Sequence, residues 1–110
     1  MNDRILSFLG LCKKAGKMQT GKDVTIQCIK EHKAKLVLVA RDFSHHSEKD
    51  IKKVAENFDI TVIKLPYNKD ELEFVLSKLC GVICITDEGF AKRTEELILE
   101  KQAENTWLLQ

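Results

Sequence analysis

Apolar positions along this chain alternate between a helical rhythm and short unbroken runs. Ile5, Phe8, Leu9 and Cys12 repeat at i, i+3, i+4 and i+7, which predicts a first amphipathic helix capped by Asn2 or Asp3 and ending near Gly16. A short extended piece, Lys17 to Gln19, leads to a tight entry at Thr20-Gly21. The next helix places Asp23, Gln27 and Lys30 on one face, with Val24, Ile26, Cys28 and Ile29 on the remaining arc. Leu36 to Ala40 is wholly apolar, as suits a strand buried on both faces.

The alternation continues beyond Arg41. Ser47, with Asp50 three residues on, reads as the cap of a helix that turns Ile51, Val54, Ala55 and Phe58 inward. Ile60 to Ile63 is the next strand, and the only proline, Pro66, marks the loop after it. Asn68 with Glu71 forms a capping box for a helix on Leu72, Val75, Leu76 and Leu79, which Gly81 ends. Val82 to Ile85 is a third apolar strand. Thr86 and Asp87 lead into a last helix on Phe90, Ala91, Thr94, Leu97 and Ile98. The tail through Trp107, Leu108 and Leu109 is apolar without clear periodicity, placing it on the core or on a partner. Strands alternating with helices imply right-handed βαβ units and a three-layer α/β/α sandwich.

At 110 residues, 44% hydrophobic and 32% charged, the chain has the size and composition of one soluble globular domain, residues 1–110. It contains neither a run long enough to span a bilayer nor a signal peptide pattern. The net charge of +1 conceals an uneven distribution. Residues 1–55 carry 12 lysines and arginines against 6 acidic residues, whereas residues 56–110 carry 6 against 11. One basic surface facing a polyanion and an acidic far side follow from that asymmetry.

The candidate chemistry is sparse. Cys12, Cys28, Cys80 and Cys84 form no CxxC pair and lie in apolar runs, which argues against zinc and for buried, reduced thiols in a cytoplasmic protein. His45-His46 reads as an exposed loop pair. No phosphate-binding glycine motif is present, and no nucleophile is paired with a base, so neither cofactor nor catalysis is expected. Glu95, Glu96, Glu100 and Glu104 fall on a solvated helix face. What remains is the helix beginning at Gly21, whose free N–H groups and polar ridge could receive phosphate or a base edge. Spacing alone favours an ordinary capped amphipathic helix.

Three segments, GLCKKAGKMQTGKD (Gly10 to Asp23), AKLVLVARD (Ala34 to Asp42) and ITDEGFAKR (Ile85 to Arg93), together resemble the ribosomal L7Ae/L30e superfamily, in particular its small bacterial ribosomal-protein-like members. The resemblance covers about residues 4–100 and implies an L30e-like α/β/α sandwich with a small mixed sheet. In many members it also implies binding to kink-turn RNA. The family's RNA motif falls on Gly21, Lys22, Asp23, Val24, Thr25, Ile26 and Gln27; Asp23 replaces Asn, Val24 replaces Glu, and Gln27 replaces Lys. A second family contact falls on the loop Leu79, Cys80, Gly81 and Val82, which would cover extruded bases. That loop is shorter than in archaeal relatives, and Glu73 stands where they carry glycine.

The resemblance thus implies a non-catalytic bacterial RNA-binding protein, possible at the ribosome, whose partner is a kink-turn or ribosomal RNA, with no DNA or membrane partner. Asp23 is the candidate base reader, and Lys14, Lys17, Lys22 and Lys30 are candidate phosphate contacts. The alternative is a protein-interaction adaptor on the same fold, which the acidic second half and the replaced Glu and Lys would suit.

Overall fold

The computed structural model describes residues 3–108, with side chains through Glu104. Helix α1 (Arg4–Lys14) is capped by Asp3, which accepts from Leu6 N–H at 3.0 Å. The chain turns at Gly16 and enters β1 (Met18–Thr20), then α2 (Lys22–Lys30) and β2 (Leu36–Val39). Helix α3 (His45–Asn57), β3 (Val62–Lys64), α4 (Lys69–Leu76), β4 (Val82–Ile85) and α5 (Glu88–Leu108) complete the order.

The sheet runs β1-β4-β2-β3. Its two interior strands, β2 and β4, are fully buried along their lengths. Alternation of side chains then divides the core in two. Leu36, Leu38, Ile83 and Ile85 face α1, α4 and α5 with Leu9, Leu72 and Leu97. Val37, Val39, Val82 and Cys84 face α2 and α3 with Ile29, Ile51 and Ala55. Each such side chain contributes about 1.5–3 kcal/mol on full burial. The sandwich expected from the sequence is present, and its sheet is mixed.

Several local expectations are corrected. Only β2–α3–β3 is a parallel unit; β4 lies antiparallel to both β1 and β2. A strand apolar on both faces carries no mark of direction, so its sequence cannot separate the two arrangements. The extended piece before Gly21 joins the sheet as an edge strand, Met18 opposite Ile85. The run after α3 forms a strand at Val62–Lys64 instead of Ile60–Ile63, and as the other edge it is at most half-buried.

Helix α3 starts one turn early. Ser44, not Ser47, is the cap and accepts from Ser47 N–H at 3.2 Å, so His45 and His46 lie in the first turn, exposed, instead of in a loop. That start places Glu48 in the first turn as well, where its buried carboxylate meets Lys52 at 2.8 Å and Lys64 at 3.2 Å. Helix α4 has the expected Asn68–Glu71 box but ends at Ser77, which is left-handed, with the Lys13 ammonium donating to the Leu76 carbonyl. Leu79 is therefore outside the helix and 59% exposed, not part of its inner face. The apolar tail at Trp107–Leu109 lies outside the described side chains.

Two contacts tie the ends together. Tyr67 Oη donates to both Asp3 carboxylate oxygens, at 2.7 and 2.6 Å, and Lys101 Nζ reaches Asp3 at 3.0 Å, so α1, the β3–α4 loop and α5 share one polar knot. Gly81 backs onto Phe43: a Cβ there would lie 2.3 Å from the ring. All four cysteines are buried and unpaired by disulfides. Burial and the Asp87 charge push Cys12 up to about 11, and burial beside Cys28 pushes Cys84 up to about 12.

Two predictions follow from these contacts. Gly81→Ala should destabilise the protein by about 1–3 kcal/mol through overpacking, and by less in a Phe43→Ala background, as read by urea unfolding. Partial burial raises the pKa of Asp3, yet the Tyr67 hydroxyl, the Leu6 N–H and Lys101 outweigh it and hold the carboxyl below its ordinary 3.8. The stabilisation is therefore complete well above pH 3.8 and fades as the pH falls through the lower folded value. Unfolding series from pH 7 to pH 3 should show Tyr67→Phe losing less stability on acidification than the parent.

Candidate nucleic-acid interface

Strand β1 feeds α2 through a single residue. Gly21 takes φ 107° and ψ 152°, a conformation reserved in practice for glycine. Its N–H donates to the Val82 carbonyl at 3.1 Å and its own carbonyl accepts from Thr25 N–H at 3.0 Å. Gly21 is itself the residue preceding the helix, and it has no side chain to bend back. No side-chain cap bond is made, so the N–H groups of Lys22, Asp23 and Val24 have no protein acceptor among the described residues. These orphan donors and the positive end of the helix dipole point in one direction.

Thr20 does not cap the helix, because it is held in β1 opposite Ile83. Asp23 does not bond the first-turn N–H groups either, and its exposed carboxylate is left open to a ligand. Val24 beside it is 44% exposed, an apolar surface next to the donors. One turn further, Gln27 Nε2 donates to Glu31 at 2.7 Å, so its amide is partly engaged, while Lys30 is exposed.

The loop before β4 meets the same place, since the Val82 carbonyl receives the Gly21 N–H and the Gly81 carbonyl receives Ala40 N–H at 2.8 Å. Cys80 and Val82 are buried, so their side chains lie in the core and only Leu79 presents an apolar surface outward. Lys78 is exposed beside it, a cation in that loop which sequence reading had not singled out.

The proposed phosphate contacts divide into groups. Lys14 and Lys17 are exposed, but Lys17 sits at the opposite end of β1 from Gly21, about 10 Å of strand away. Lys22 adjoins Gly21, yet its ammonium is paired with Asp50 Oδ2 of α3 at 2.8 Å. The same oxygen lies 3.5 Å from His46 Nε2. The Lys22 hydrogen bond, together with the charges of His46 and Lys53, holds Asp50 below the ordinary aspartate range despite some desolvation. Asp50 was not expected at the interface. It lies 28 residues from Lys22 in sequence, and only the packing of α2 on α3 brings them together.

A sheet ordered β1-β4-β2-β3 between α1/α4/α5 and α2/α3, with an uncapped helix end beside the β4 loop, defines a class, and the sequence agrees with it. The chain belongs to the family described as "Ribosomal protein L7Ae/L30e/S12e/Gadd45 family", whose pattern matches residues 3–95. It is 36% identical over 95 residues to RNA-binding protein YlxQ of Enterococcus faecium, covering 86% of this chain and 91% of that one. It is also 34% identical over 96 residues to RNA-binding protein YlxQ of Bacillus subtilis, covering 83% and 91%. Among solved structures, a protein of unknown function from Bacillus halodurans C superposes with a TM-score of 0.84 at 26% identity, covering 88% of this chain and 98% of that one. The 15.5kD RNA binding protein of Giardia lamblia shares the fold at 15% identity and a TM-score of 0.72, covering 94% and 92%.

Gly21→Ala tests the helix entry. An added Cβ would meet nothing within 4 Å, so the cost is torsional alone. The substitution should destabilise by about 1–3 kcal/mol in thermal or urea unfolding. A loss no larger than that of an exposed loop glycine would show that the backbone there relaxes freely.

Proposed function

We propose that this chain is a non-catalytic RNA-binding protein that docks structured RNA, of the kink-turn kind, across the Gly21 end of α2. The observation that carries the reading is the set of three unbonded N–H groups at Lys22, Asp23 and Val24, with the open Asp23 carboxylate among them. Donors fixed by a helix receive phosphate or base oxygen without rearrangement. A carboxylate among them accepts from an amino or imino edge, which phosphate cannot offer. Val24 and Leu79 give unstacked bases an apolar surface, and RNA of this kind exposes such bases while its duplex grooves stay hard to read. Lys14, Lys17, Lys30 and Lys78, all exposed, add positive charge beyond the helix end itself.

The kinship to two relatives named as RNA-binding proteins supports the same reading. Both are bacterial, and among the described residues no helix is long and apolar enough to cross a membrane. A place in the bacterial cytoplasm, where such RNA is found, fits this function.

The test is a gel-shift titration with a consensus kink-turn against a plain duplex of equal length. Asp23→Ala should cost roughly 1–3 kcal/mol of binding on the kink-turn and far less on the duplex. Because Asp23 makes no cap bond, unfolding of the variant should change by no more than about 1 kcal/mol, the share of a first-turn carboxylate in the helix dipole. Equal losses on both RNAs would leave only unspecific charge attraction. Absence of binding by the parent at low salt would refute the RNA reading and favour a protein partner.

A further inference from the structure

The cation nearest the docking end is the one whose charge is already answered. Lys22 directly follows Gly21, and its ammonium lies 2.8 Å from Asp50 Oδ2. Asp50 is fixed in that position by its neighbour Ile51, fully buried with Ile29 of α2 in the core between sheet and helices. The pair therefore bridges two helices packed on each other, and it does not depend on a chance side-chain encounter. The two side chains remain 32% and 41% exposed, so water and a competing anion can reach them. Lys14, Lys17, Lys30 and Lys78, by contrast, make no ion pair among the described residues.

We infer that Asp50 is a positioning residue that restrains Lys22, keeping its charge from unspecific phosphate attraction at the mouth of the site. The inference rests on the RNA-binding reading above and adds a residue from a helix outside the motif. In the paired state Lys22 presents little net charge to a passing duplex. Recognition then depends on the directional donors at Gly21 and on Asp23, which discriminate, and less on a point charge, which does not. The pair also keeps the Lys22 side chain directed to α3.

The test is a double-mutant cycle on the intact chain, read by salt-dependent binding to a kink-turn and to a plain duplex. Asp50→Asn should tighten duplex binding about two- to fivefold at low salt, the scale of one exposed charge pair. It should also steepen the plot of log affinity against log salt by about one unit, as one more phosphate is neutralised. In a Lys22→Ala background the same substitution should give no such gain, because the cation it releases is gone. Asp50→Glu, which can rebuild the pair, should return the duplex slope to that of the parent. A structural role alone would not move the salt slope, and unfolding curves for each variant identify any loss of fold.

An unchanged slope for Asp50→Asn would overturn the inference. So would an equal gain with and without Lys22, which would mean that removing any negative charge suffices, with His46 and Lys53 freed in place of Lys22. A parent that prefers the kink-turn while Asp50→Asn behaves like it refutes this inference alone. A parent that binds neither RNA refutes this inference together with the function it rests on.

Discussion

Strand β4 is the constraint on which the other elements depend. It lies between β1 and β2, bonded on both edges, and all four of its side chains are buried, two toward each helical layer. At its start, the Gly81 and Val82 carbonyls accept Ala40 N–H and Gly21 N–H, so the end of β2 and the start of α2 are both indexed to the same two residues. The candidate interface is consequently an outgrowth of the core ladder. A shift of β4 by one residue would exchange its two faces and displace the α2 end at once. Gly81 permits this because Phe43 occupies the space any side chain would need.

The strained entry at Gly21 is compatible with such an arrangement because its neighbours are over-determined. Thr20 is held in register with Ile83, and Thr25 is buried one turn into the helix. Between them the chain must turn from strand to helix in one residue, which a left-handed glycine accomplishes and a capping Ser or Asp would not. The consequence for function is direct. A side-chain cap would have consumed the donors that are left open, so the conformation that glycine allows is also the one that keeps the helix end available.

Periodicity in the sequence encodes the local elements of this fold, while partners far apart in sequence leave no such mark. The helices, the two interior strands and the Asn68–Glu71 box were legible, because apolar spacing and capping chemistry are local. The direction of β4 was not, since a strand of Val82, Ile83, Cys84 and Ile85 looks the same in either orientation. Ser44 and Ser47 are equally good caps by composition. The choice falls to Ser44 because it places Glu48 between Lys52 and Lys64, and the second of these lies on another element. At the candidate interface the motif pointed to Gly21 and Asp23, and the apolar runs around Cys80 and Val82 already marked both as buried, against the base-covering role the resemblance implied for their loop. The Asp50 partner of Lys22 needed two helices to be packed together first.

The charge asymmetry of the chain takes on a more definite form once the pairs are assigned. The basic half would, on composition alone, offer Lys22 as its best-placed cation, but Asp50 of α3 pairs with that charge while Lys14, Lys17 and Lys30 stay exposed. The acidic half is partly engaged too, with Glu100 near both Arg4 and Arg93, and in the basic half Asp3 is held by Lys101. Surface pairs of this sort add little stability. Their effect is to decide which charges a polyanion meets first. A protein whose nearest cation is balanced and whose helix donors are open relies on geometry where charge alone would bind without selection. That distribution suits the proposed docking of a folded RNA in competition with many unspecific phosphates.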